Sequence, residues 1–171
     1  MTAALKDVRD TAEEFASKAE RFVGWLDRAT ADESTTVDMR QLHELLGALQ
    51  TAAARLPAVA PGEAAEPELE YKRCSESTLR SRLPMDAYSV VFNPFEYDPL
   101  EMNPPKPVMA TLTDDLSDMH RDLMEGLVLY RADRFQDALW QWRFMYYAHW
   151  GRHLSHAQCA IWQYLSEGNR T

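Results

Sequence analysis

The chain has 171 residues and a net charge of −9, with 46% hydrophobic and 26% charged positions. That length suits one domain and buries enough surface on folding to need no disulfide or metal staple. A pI near 5.0 makes a phosphate backbone a repulsive partner and sets aside nucleic-acid binding, while the lack of a long apolar run sets aside a membrane span.

Proline divides the chain. All nine prolines lie between Pro57 and Pro107, and because proline inside a helix removes a hydrogen bond, the proline-free flanks are the helical candidates. Residues 1–171 therefore read as a single helical domain, with a helical hairpin in 1–56, a crossover in 57–111 and a second helical hairpin in 112–166. The fold class expected is all-α, a four-helix up-down bundle with one long proline-rich crossover between helices 2 and 3.

In the first hairpin Leu5, Val8, Ala12, Phe15, Ala19, Phe22 and Leu26 recur at alternating steps of three and four, the stripe of an amphipathic helix. Thr35 followed by Asp38 reads as a capping box opening helix 2. Its stripe runs Leu42, Leu45, Leu49, Ala52 and Leu56 before Pro57 ends it. In the crossover, Tyr71 to Leu83 suits a short helix. Val90, Val91, Phe92, Phe95, Tyr97 and Leu100 carry too much apolar surface for a disordered linker, so an ordered loop pressed onto the bundle is expected.

Thr111 with Asp114 caps the third helix, whose core stripe is Leu112, Leu116, Met119, Leu123, Leu127 and Tyr130. Arg131 to Asp133 forms a tight connection. From Arg134 to Leu165 a helical pattern continues with only Gly151 to kink or break it. Ten of the eighteen aromatic residues fall between Tyr130 and Tyr164. Projected at a regular helical pitch, one face of this last helix carries Phe135, Leu139, Trp142, Tyr146, His149, His153, Ala157, Ala160 and Tyr164. The opposite side carries Trp140, Phe144, Tyr147, Leu154 and Trp162. A helix apolar on two sides is central to its fold or faces a second partner. Either Val91, Phe92 and Phe95 of the crossover cover that second face, or it is a homodimer seam.

The sharpest chemical feature is His149-x-x-x-His153-x-x-His156. The i, i+4 spacing brings two imidazoles together as two metal ligands on one helix require. Asp115, Asp118, Asp122 and Glu125 form a carboxylate stripe on the third helix, and centring the hairpin turn on residues 132–133 sets Asp115 level with His149 and Trp150, and Asp122 with Arg143. His149, His153 and Asp115 are therefore the candidate ligands for a divalent ion such as zinc or iron. The competing reading is a structural polar network in which the acidic stripe meets Arg143 and Arg152. His43 and His120 read as flank residues. Cys74, beside Lys72 and Arg73, reads as an ordinary thiol. Two lone cysteines, Cys74 and Cys159, suit a reduced, cytoplasmic protein, and Met1 to Leu5 does not open a signal peptide. No residue is marked as catalytic: phosphate loops and nucleophile elbows are missing from the sequence.

Asp114-Asp115-Leu116-x-Asp118, Trp140-x-Trp142-Arg143-Phe144 and His149-Trp150-Gly151-x-His153 resemble an uncharacterised bacterial all-helical family, a domain of unknown function. The likeness is best from Asp86 to Leu165 and weaker from Phe15 to Leu26. The resemblance implies a bacterial, cytoplasmic protein without an assigned activity. The H-x-x-x-H pair late in a bundle is also similar to the metal-binding pattern of DinB-like thiol-transferase and damage-inducible proteins, in which a third histidine comes from an earlier helix; His43 is the one candidate for it here.

Two functions are expected on these grounds. One is a non-enzymatic interaction or regulatory accessory module whose Trp140, Phe144 and Tyr147 meet a protein partner or a second copy, since interface cores favour such residues. The other is a divalent-metal-binding bundle, a DinB-like hydrolase or transferase or a metal sensor, using His149, His153 and a carboxylate.

Overall fold

A computed structural model of the chain describes residues 3–31, 36–62, 70–90 and 106–168. The amphipathic stripe of the first segment forms α1 (Ala3–Ala31) and buries Ala12, Phe15, Ala19, Phe22 and Leu26. Helix α2 (Met39–Ala53) opens one residue after Asp38, whose side chain accepts from the backbone N–H groups of Arg40 and Gln41. Asp38 is thus the N-cap itself rather than the third residue of a box begun by Thr35, which lies outside the described residues. The helix ends at Ala53, and Leu56 is buried beyond its last turn.

The crossover holds more regular structure than its prolines suggest. Helix α3 (Glu76–Arg82) is capped by Ser75 and buries Leu79. Strands β1 (Ala87–Val90) and β2 (Val108–Thr111) pair antiparallel, with Ala87 opposite Thr111 and Val90 opposite Val108. This ribbon is absent from the sequence-based expectation, because four-residue strands leave too short an alternation to recognise. Two strands alone are marginal in water, and Asp86 ties their base to the next helix. Its carbonyl accepts from Leu112 N at 2.9 Å and its carboxylate from Thr113 N at 2.8 Å. The residues expected to cover the aromatic face, Val91, Phe92 and Phe95, lie outside the described residues.

Helix α4 (Leu112–Arg131) is capped by Thr111, whose hydroxyl accepts from Asp114 N. It turns back through Asp133, held at φ 58°, a left-handed conformation that Asp tolerates better than most residues. The last helical run has three parts: α5 (Phe135–Met145), a π-helical turn (Tyr146–Trp150), and α6 (Gly151–Gly168). The expected kink or break at Gly151 is instead this π turn, and the helix continues through it. The Gly151 N–H reaches the Tyr146 carbonyl five residues back, which closes the wide turn. A Cβ at 151 would stand 2.2 Å from that carbonyl oxygen, so only glycine fits.

Helix α1 packs on α2, α4 and α5, while α4 also packs on α5 and α6, and α2 on α6. Helix α4 runs antiparallel to α1, and α5 runs parallel to α1, with Arg9 over Phe135 and Phe15 against Trp142. Trp25 Nε1 donates to Gln41 across α1 and α2, and His120 and Arg131 of α4 meet Asp27 and Glu20 of α1. The described residues are thus mostly helical, with one small ribbon among them. At the centre Phe15 meets Trp142 with ring centroids 4.8 Å apart, and Trp142 lies on Gly126, where a Cβ would be 2.0 Å from the indole nitrogen. That nitrogen donates to the Leu123 carbonyl at 3.1 Å. The absent side chain at 126 is what lets the indole seat on the backbone.

Candidate functional site

Past the π turn the same helix seam becomes polar. Asp115, Asp118 and Asp122 share one face of α4 because their spacing is i, i+3 and i+7. Asp115 and Asp122 are buried, and Asp118 is 22% exposed. His149 leaves the π turn and His153 the first turn of α6, with ring centroids 4.7 Å apart. His149 Nδ1 lies 2.6 Å from Asp122 Oδ2, and His153 Nδ1 lies 2.8 Å from Asp115 Oδ1. An ionised carboxylate only accepts, so each Nδ1 carries the hydrogen and each Nε2 presents a lone pair when the ring is neutral. Arg121 Nη2 also stands 3.4 Å from His149 Nδ1. The much closer carboxylate governs that nitrogen.

Both Nε2 atoms face Asp118. Its Oδ2 is 3.4 Å from His153 Nε2 and 3.7 Å from His149 Nε2. One ligand atom each from Asp118, His149 and His153 lies within 4.8 Å of the others. The His153 Nε2 is buried and makes no hydrogen bond, which is costly for a buried polar atom unless something else occupies its lone pair. Arg121 holds the remaining oxygens, with Nη1 2.6 Å from Asp118 Oδ1 and Nε 3.2 Å from Asp122 Oδ1. With both imidazoles in their neutral form, three carboxylates against one guanidinium would leave two negative charges, the complement of a divalent cation.

The sequence-based ligand set was His149, His153 and Asp115. The structure brings the two histidines together but gives Asp115 a different place. Its oxygens receive the His153 Nδ1–H and the Tyr88 hydroxyl from β1, and Asp118 is the carboxylate at the convergence. The pairing departs from that of a regular hairpin: Trp142 meets Leu123 as such a hairpin demands, whereas from the π turn onward His149 meets Asp122 and His153 meets Asp115. The arginine of the network is Arg121 of α4 itself. Arg143 instead lies over the Tyr147 ring, 4.8 Å from its centroid.

Other titratable groups lie outside the convergent three, Tyr88 among them although it bonds Asp115. Glu125 accepts from Tyr71 and Gln141, and burial followed by that carboxylate pushes the Tyr71 hydroxyl up to about 12. Tyr88 is likewise raised, first by burial and then by its bond to Asp115. His156 is lowered by burial. Burial also raises the Cys74 thiol, the opposite of an activated cysteine. His43 is not in the convergent group.

On the far side of α5, Trp140 and Phe144 stack with centroids 5.1 Å apart. Phe144 is 52% and Tyr147 69% exposed. With Trp140, Arg143, Ala58 and Val59 they line an open groove of about 410 Å³. Beyond the π turn regular projection misplaces Leu154, which is core with Trp150 and Ile161, and Tyr164, which is exposed.

Comparison with known proteins places this chain in a family. Residues 6–166 match the family model described as Domain of unknown function (DUF5063), and the chain belongs to that family. Its fold is similar to the crystal structure of protein BF1032 from Bacteroides fragilis, with a TM-score of 0.68 at 20% identity over 88% of this chain and 89% of that one. Comparison with curated proteins finds no match. No helix among the described residues is long and apolar enough to cross a membrane.

Proposed function

We propose that this member of the DUF5063 family is a divalent-metal-binding helical protein, with Asp118, His149 and His153 as the ligands. One observation carries the reading: both imidazoles turn lone pairs toward one carboxylate oxygen while their Nδ1 atoms rest on Asp115 and Asp122. Metal-binding histidines characteristically donate their other N–H to such a group, which fixes tautomer and direction. Two histidines and a carboxylate suit zinc or ferrous iron. Three protein ligands leave a coordination position for water or substrate, where such an ion supplies Lewis-acid chemistry to a hydrolase or transferase, or serves as the signal read by a sensor. In this reading α1, α2, α4 and the α5–α6 run are the four members of an up-down bundle spanning residues 1–171 as one domain, in a bacterial cytoplasm.

Elemental analysis of the purified, tag-free protein tests it. Stoichiometric zinc, iron or manganese that disappears in His149→Ala and Asp118→Asn is the expected result. Background metal after an attempt to reload the protein overturns it and leaves the cluster as structure.

The exposed aromatic groove favours a second reading, an accessory module that meets a protein partner or a second copy through Trp140, Phe144 and Tyr147. The two readings are compatible, since the surfaces lie on different sides of the last helix. A solution mass above that of a single chain, returning to it in Phe144→Ser with Tyr147→Ser, is the result expected for self-association.

A further inference from the structure

Each histidine of the cluster rests on a carboxylate, and each carboxylate is held in turn by one further donor. For His149 the chain runs through Asp122 to the Arg121 guanidinium on the same helix. For His153 it runs through Asp115 to the Tyr88 hydroxyl, which comes from the β-ribbon outside the helices. Asp115 is buried, and the terminal torsion of an aspartate is broad, so a hydrogen bond to each oxygen is what fixes its plane. The oxygen that bonds Tyr88 is the one His153 does not use.

The ribbon is built to hold Tyr88 in register with that carboxylate. Thr111, the cap of α4, is also the last residue of β2 and pairs with Ala87, the neighbour of Tyr88. Asp86, immediately before β1, takes the N–H groups of Leu112 and Thr113 in the first turn of α4. Arg80 of α3 meets the other Asp86 oxygen at 3.2 Å. Strand, cap and first turn are therefore one hydrogen-bonded unit, and Asp115 sits in the next part of the same turn. Nothing in the helix packing alone requires a tyrosine hydroxyl there.

We propose that Tyr88 is a positioning residue of the metal centre: acting through Asp115, it sets the orientation and tautomer of His153 and so the affinity for the ion. The inference rests on the metal reading above. Tyr88 touches neither the ion nor a substrate, and its effect passes through two hydrogen bonds. The ribbon then has a role in the site, although it contributes no ligand.

The test is cobalt(II) titration of the full chain, followed by the visible ligand-field bands, in the wild type, Tyr88→Phe, Asp115→Asn and the double variant, with metal-free melting temperatures alongside. Loss of a partner beyond the ligands typically weakens a metal site about 10–100-fold. Tyr88→Phe is expected to melt close to the wild type, to bind cobalt weaker by about that factor, and to shift the bands. The double variant is expected to bind no more weakly than Asp115→Asn alone, because both changes break one relay. Wild-type affinity and bands in Tyr88→Phe overturn the relay while leaving the metal centre standing. So do additive losses in the double variant, or a Tyr88→Phe chain that does not fold. A wild-type protein that takes up no cobalt removes the centre and the relay together.

Discussion

Between Leu123 and Trp142 the seam of α4 with the last helix is dry, and the indole lies flat on Gly126 with its nitrogen on a backbone carbonyl. One π turn further on, the same two helices meet through three carboxylates, two imidazoles and a guanidinium. The dry half is held by shape, so it tolerates no added atom. The polar half is held by directed hydrogen bonds and ion pairs, so it tolerates changes of size better than loss of a partner. A continuous α-helix gives the two stretches one phase, and the extra residue of the π turn lets each find its own.

The strongest way to break the dry half is Gly126→Ala. Its Cβ has no room beside the indole, and overpacking of a filled core costs up to about 3 kcal/mol. Denaturant unfolding is expected to show that loss. Gly151→Ala strikes the junction instead, forcing the Tyr146 carbonyl aside. A cost of about 2 kcal/mol is expected from strain of that kind, together with weaker metal uptake, because both histidines move. If Gly151→Ala changes stability and leaves metal binding at the wild-type level, the π turn does not set the phase of the site.

Asp118→Asn sharpens the contrast from the other side. Its ion pair with Arg121 is partly exposed, and such pairs contribute about 0–1 kcal/mol. The variant should therefore fold nearly as well as the wild type, yet retain no metal by elemental analysis. His120 supplies the smallest effect, on a different contact of α4. It is buried against Asp27 of α1, and burial lowers its pKa despite that carboxylate. The unfolded chain then binds the proton more readily than the folded one. The contribution of His120 is present above its unfolded value of about 6.5 and is lost as pH falls through the lower folded one. Stability measured from pH 7.5 down to 5 should decline less steeply in His120→Gln.

Much of this was legible in the sequence where one period governs a long segment. The stripe of α4 is buried but for Tyr130, and that of α1 from Ala12 to Leu26, whereas α2 buries Leu46 and Ala53 in place of Leu45 and Ala52; the Thr111 cap is where the spacing to Asp114 puts it. The histidine pair was legible because i, i+4 survives the passage from π turn to α-helix well enough to keep the rings together. Its third partner was not. Choosing Asp118 over Asp115 requires the rotation introduced at Tyr146–Trp150, and a π turn is set by packing around Trp150 and Gly151 rather than by a local composition. Tyr88 was hidden for a related reason: a strand of four residues carries little periodicity, and its pairing with β2 bridges a long stretch of sequence.

The burial of Trp150 beside His149 also gives the molecule an optical consequence. Trp142 and Trp150 are sealed from solvent, and the Trp150 indole N–H is bound to the Trp142 carbonyl, so these two emit at short wavelength while Trp162 emits as an indole in water. If the cluster binds metal as proposed, a paramagnetic ion next to His149 would quench the blue edge of that emission and spare the red. Under that reading the indoles would gauge occupancy without a label.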